Sequence, residues 1–86
     1  MFQAGNPFES NLRSLRGYEA NTAILSNHTA IGSNLECVEL CHVDCRCLSV
    51  TYKRNVNECL LHFMKPDQYA CFTLAPNADA DMFVHE

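Results

Sequence analysis

Five of the six cysteines fall within one stretch, LECVELCHVDCRCLSVTYKRNVNECLLHF, residues 35–63. In a chain of 86 residues this clustering constrains the fold more than any other feature. A domain of this size buries only about 60–65% of its unfolded surface, so its core is marginal without some further device. The thiols are therefore paired, wrapped round a metal, or kept free for chemistry. Pairing fits best: the count is even and the usage is high for so short a chain. Zinc modules present paired ligands two to four residues apart, twice over. Here Cys37 and Cys41 share a helical segment, and no second compact pair follows Cys59 to join them, even with His42 and His62 at hand. A redox or catalytic thiol lacks its setting. There is no C-x-x-C motif, and Glu36 beside Cys37 disfavours a thiolate.

The clearest local signal is Ser33 followed by Glu36. This is a capping box: the Ser33 hydroxyl accepts from the N3 amide, and Glu36 reaches back to the N-cap amide. It predicts a helix over NLECVELCHV, residues 34–43, with Cys37, Leu40 and Cys41 on one face. CLSVTYK (47–53) is β-branched and aromatic and predicts a strand; RNVN turns it, and ECLLHF (58–63) returns as a hairpin. Period two sends Cys59, Leu61 and Phe63 to one face and Leu60 and His62 to the other, with Leu48, Val50 and Tyr52 opposite Cys47. Apolar residues on both faces imply a sheet covered on both sides. LRSLRGYEANTAIL (12–25) reads as one or two irregular strands, and SNHTAIGSN (26–34) as a turn. Pro66 ends the hairpin pattern; YACFTL (69–74) reads as a strand, APNADA (75–80) as a loop and DMFVH (81–85) as a last strand. Residues 1–11 read as a flexible lead-in to one domain over residues 12–86.

Six cysteines allow fifteen pairings. Proximity disfavours Cys45–Cys47, and strain within one helix face disfavours Cys37–Cys41; bridges between helix and hairpin fit the packing that both elements need. Cys37-x-x-x-Cys41, then Cys47 followed by Ser49, Val50 and Tyr52, then Cys59-Leu60 on the return strand, resembles the PAN/apple module. LRGY and MFVHE suit that module's first and last strands, so the resemblance covers residues 12–86. It implies a small, disulfide-rich α+β fold: a twisted antiparallel β-sheet with one α-helix packed across it. It also implies Cys37–Cys59 and Cys41–Cys47 as nested bridges from helix to sheet. Cys45 and Cys71 remain, and are expected to form a third pair outside the family pattern. Apple modules proper tie their terminal strands with a further bridge. No cysteine precedes Cys37 here, so the chain is closer to the broader PAN group.

The resemblance implies a non-catalytic extracellular recognition or adhesion module that binds a protein or a carbohydrate. The residues agree with a chain that is no enzyme: no Ser/His/Asp grouping at readable spacing, no Gly-rich phosphate loop, and three glycines in all. A net charge of −4 argues against nucleic acid and anionic membranes, and no run approaches the roughly 18 apolar residues that span a bilayer. MFQAGNPFES has neither the basic nor the apolar region of a signal peptide, so the chain is expected to be excised from a larger secreted or surface protein. No cofactor or metal is expected. His28, His42, His62 and His85 are scattered, and Asp79 and Asp81 show no complete oxygen cage for calcium. Lys53 and Arg54 at the hairpin tip, with Tyr69, are the candidate ligand contacts; the rival reading makes the two cations ordinary solvated charge. Asn27 heads the N-glycosylation sequon Asn27-His28-Thr29. Two other readings are a free-standing secreted effector (toxin, inhibitor or antimicrobial), whose antimicrobial form the acidic charge disfavours, and a homotypic assembly module pairing through an open edge strand.

Overall fold

The computed structural model describes residues 12–66 and 72–85. Among the described residues five strands and one helix follow in the order β1 (Leu12–Ala20), β2 (Ile24–His28), α1 (Asn34–His42), β3 (Ser49–Lys53), β4 (Glu58–His62) and β5 (Leu74–His85). The strands form one antiparallel sheet in the order β1-β5-β3-β4-β2, with α1 packed on one face: the α+β architecture expected.

The helix starts where the capping box places it. Ser33 is extended, and its Oγ accepts from the Glu36 amide at 3.2 Å. Glu36 reaches one residue further than expected: its Oε1 accepts from the Gly32 amide at 2.7 Å rather than from Ser33. Val43 is the C-cap, not the last helical residue. Nine residues are too few for a helix to persist alone in water, so α1 depends on the face it buries through Cys37, Val38 and Cys41.

The β3–β4 hairpin shows why the pattern carries apolar residues on both faces. Val50 pairs with Leu61 and Tyr52 with Cys59; these four join Cys37, Val38, Cys41 and Cys47 in the core under α1. On the other face Thr51 and His62 are fully buried, and beyond them Ala20, Phe72 and Met82 form a second cluster closed by Leu15, Met64 and Leu74. Tyr52 is sheet packing, with its hydroxyl donating to the Ile31 carbonyl at 2.7 Å.

Several local expectations are corrected. Ser26–His28 belong to β2, where they pair with Leu61, Leu60 and Cys59. Turn-forming residue types sit there because β2 is a short edge strand that buries little of itself. APNADA is no loop: Ala75–Ala80 lie inside β5, where Tyr18 pairs with Pro76 and Glu19 with Ala75. β3 pairs with β5 only from Ala80 onward, so Pro76 has a register partner on β1 and none on β3, the kind of edge position where proline is tolerated in a sheet. Phe72 and Thr73 precede β5 rather than forming a strand, and the rest of YACFTL, residues 69–71, lies outside the described residues, as does the lead-in 1–11. Cys47 and Leu48 precede β3, so Cys47 does not lie opposite Val50 and Tyr52 as expected but joins their core, and Phe63 lies beyond β4, 46% exposed.

Two disulfides pin the helix. Cys37 is bonded to Cys59 across 22 residues, and Cys41 to Cys47 across 6. Cys45 is exposed and bonded to no cysteine among the described residues, and Cys71, the partner expected for it, lies outside them. Among the described residues no three His, Cys, Asp or Glu side chains gather as metal ligands would, and no helix is long and apolar enough to cross a membrane.

Candidate functional site

Lys53 and Arg54 adjoin in sequence, but alternation along the chain sends them apart. Lys53 pairs in register with Glu58 and stands on the face away from α1. Its Nζ lies 3.8 Å from Glu19 and 3.6 Å from Glu58, and donates to Asn21 Oδ1 at 3.4 Å. A hydrogen bond from Asn77, opposed by burial and aided by Asn21 and Lys53, holds the Glu19 carboxyl below its usual range. Two carboxylates thus answer one ammonium, and the two cations form no joint patch.

Arg54 turns toward β5. One arm of its guanidinium ion-pairs with Asp81, the other donates to the Ala78 carbonyl, and its backbone amide donates to the Asp79 carbonyl at 2.8 Å. Asp81 is 6% exposed. It lies opposite Tyr52 on β3 and opposite Arg16 on β1, so its side chain rises on the helix-bearing face. Its Oδ1 also accepts from the Gly17 amide at 3.2 Å. That amide is available because the β1–β5 register shifts between Arg16 and Tyr18, where Gly17 takes a φ of 80°. An added Cβ at Gly17 would meet nothing within 4 Å, so the backbone angle, not crowding, demands glycine.

These residues line an open cleft of about 430 Å³, bounded by Arg16, Gly17, Asn34, Arg54, Ala78 and Asp81. Asn34 brings the first turn of α1 to its rim. Arg16 is exposed and makes no ion pair among the described residues, while Arg54 is partly committed to Asp81. Two guanidinium groups face one carboxylate, which makes this a locally cationic spot on an acidic chain. The arrangement suits a ligand that brings a carboxylate or sulfate to Arg16 and hydroxyl groups to the rim, since a guanidinium offers a planar fork of donors. The same pairing takes Asp81 out of any calcium site.

Of the residues singled out from sequence, Arg54 lines this cleft, Lys53 does not, and Tyr69 lies outside the described residues. Arg16 and Asp81 were missed as partners. The only hint was Arg16 preceding a lone glycine in a strand, the mark of a bulge. Elsewhere, a groove of about 610 Å³ runs between β2 and the C-terminal end of α1, past Leu40 and Val43, the latter 81% exposed. Cys45 lies at its wall and at that of a neighbouring hollow, where the rings of His42 and His85 stack at 6.1 Å. Beside Cys45, Asp44 takes two hydrogen bonds from the Arg46 side chain and one from its amide, which holds the Asp44 carboxyl below its usual range.

Compared with known protein families, residues 11–84 match the model described as the PAN domain. Compared with the curated proteins, the chain has no match.

Proposed function

The chain belongs to the PAN domain family, and on that premise we propose that it is a recognition or adhesion module of a larger secreted or cell-surface protein, with the Arg16–Arg54 cleft as its ligand contact. PAN domains are non-catalytic modules that bind proteins or carbohydrates in extracellular proteins. The two disulfides accord with that setting, because such bonds persist in oxidising compartments. The observation that carries the choice of contact is the imbalance in the cleft: Arg16 stands exposed beside an Arg54–Asp81 pair already satisfied. An acidic glycan, bearing carboxylate or sulfate among hydroxyl groups, has the matching chemistry.

Arg16 is the residue to change. Arg54→Ala would leave the buried Asp81 carboxylate without its cation and confound binding with folding. Arg16→Ala removes an exposed side chain and is expected to weaken binding to an acidic-glycan array about ten-fold or more, the worth of one charge-assisted hydrogen bond. Added salt is expected to weaken the parent in the same direction. Lys53→Ala serves as the control and leaves binding unchanged. Loss of binding with Val43→Asp and retention with Arg16→Ala would move the contact to the groove by α1.

The pairing of Cys45 with Cys71 belongs to the same extracellular reading. Alkylation of the unreduced chain, followed by intact mass and peptide mapping, is expected to find no free thiol and a peptide joining the two. Alkylation of both residues would show instead that the domain keeps only the bridges Cys37–Cys59 and Cys41–Cys47.

A further inference from the structure

The two edges of the sheet differ in charge. β1, at one edge, carries Arg13, Arg16 and Glu19. Charges of this kind stop an open strand from pairing with another chain. β2, at the other edge, reads Ile-Leu-Ser-Asn-His and holds no Lys, Arg, Asp or Glu; each strand has one register irregularity, at Gly17 in β1 and between Ile24 and Ser26 in β2. Ile24 is 45% exposed, so this edge combines open backbone with apolar surface.

Asn27 lies in that uncharged strand and heads the sequon Asn27-His28-Thr29. Both Asn27 and Thr29 are exposed. Asn27 pairs in register with Leu60, which places it on the face away from α1. There its Nδ2 donates to Glu58 Oε2 at 2.6 Å. We infer that Asn27 carries an N-linked glycan and that this glycan shields the open edge of β2 from pairing with a second copy of the chain. The inference rests on the extracellular reading, since the sugar is added only in the secretory pathway.

The chemistry leaves the local structure intact. A lipid-linked oligosaccharyl diphosphate supplies the sugar. A bond forms between Asn27 Nδ2 and the sugar C1, the C1–O bond to the diphosphate breaks, the lipid diphosphate leaves, and the amide nitrogen gives up one proton. The secondary amide keeps one hydrogen and so remains a donor beside Glu58. Placement also spares the ligand cleft. Asn27 and Arg16 stand on opposite edges and opposite faces of the sheet, about 19 Å apart across four strand spacings.

The test is to pass the chain through a eukaryotic secretory pathway and compare it with Thr29→Ala and Thr29→Ser. Intact mass before and after an endoglycosidase that leaves one N-acetylglucosamine reports occupancy; light scattering over a concentration series reports assembly. The parent and Thr29→Ser are expected to carry the sugar and stay monomeric. Thr29→Ala is expected to lack it and to approach twice the monomer mass as concentration rises. An empty Asn27 on a chain secreted with Cys37–Cys59 and Cys41–Cys47 formed overturns the inference and leaves the extracellular reading standing. A chain retained with those thiols reduced overturns the reading itself. A sugar-free Thr29→Ala that stays monomeric throughout overturns the role given to the glycan.

Discussion

Replacing Cys37 and Cys59 together by alanine is expected to lower the melting temperature by about 15 °C, and replacing Cys41 and Cys47 by clearly less. The loops they close set the order. A bridge spanning 22 residues removes about 3 kcal/mol of unfolded-state entropy and one spanning 6 about 2 kcal/mol. For a domain of this size each kcal/mol shifts the midpoint by about 4–8 °C. Packing widens the gap. Cys37 and Cys59 are both fully buried, and their bond ties the middle of α1 to the centre of the hairpin beside Val50 and Leu61. Cys41–Cys47 ties α1 only to the segment that follows it. Without the longer bridge, a nine-residue helix holds the sheet by Val38, Leu40 and Cys41, with no covalent tie to the hairpin, and the core beneath it opens to water. Thermal and urea melts of the two double variants, followed by helical circular dichroism, measure the difference. Equal midpoints, or a larger loss in Cys41→Ala/Cys47→Ala, would show that the short loop and not the helix–hairpin contact limits stability.

Legibility in the sequence followed the range of the interactions. The capping box, the shared face of Cys37 and Cys41 and the alternation along β3 and β4 are written in residues a few positions apart, and each was readable as such. What escaped depends on distant pairing. Ala75, Pro76 and Asn77 look like loop residues, and they become strand because β1, far away in the chain, supplies a partner along one side and leaves the other open. The cleft escaped for the same reason. Arg16, Arg54 and Asp81 meet only once β5 has been inserted between β1 and β3, a strand order that no local pattern announces. Adjacency even misled: Lys53 and Arg54 look like one basic patch, yet the pleat sends one to Glu19 and Glu58 and the other to Asp81. His62 was one of four scattered histidines until its partners, 11 and 40 residues away, came into contact with it.

His62 is expected to make the domain acid-sensitive between pH 7 and 5, and His62→Phe to abolish that sensitivity while costing about 2 kcal/mol at pH 7.5. The imidazole is fully buried, with Nδ1 2.9 Å from the Thr22 carbonyl and Nε2 2.8 Å from Thr51 Oγ1. A carbonyl only accepts, so Nδ1 carries the hydrogen and Nε2 accepts from the Thr51 hydroxyl. Thr51 Oγ1 in turn accepts from the Ala20 amide at 3.2 Å. One neutral ring thus ties the end of β1 and the β1–β2 turn to the β3–β4 hairpin, with Phe72 packed edge-on at 5.5 Å. Among the described residues its polar contacts are a carbonyl and a hydroxyl, neither able to compensate a second proton as a carboxylate would. Burial, only partly offset by the Thr22 and Ala23 carbonyls, accordingly pushes the His62 pKa below its ordinary 6.5. The sign follows from proton counting. Below pH 6.5 the unfolded chain binds a proton at this residue that the folded chain refuses, so stability falls with pH until the folded pKa is reached, by at most about 1.4 kcal/mol per pH unit. Above pH 6.5 the contribution is complete. Glu19 does not blur the window: its lowered pKa removes stability only below about 4.5, the ordinary glutamate value. Phenylalanine fills the volume but orphans the Thr22 carbonyl and the Thr51 hydroxyl, which accounts for its cost at neutral pH. Urea midpoints of parent and variant at pH 7.5, 6 and 5, compared with one another, cancel His28, His42 and His85, which both retain. A gap that narrows as pH falls is the expected result, and a gap constant from pH 7.5 to 5 would mean that His62 takes up its proton inside the fold as readily as in water.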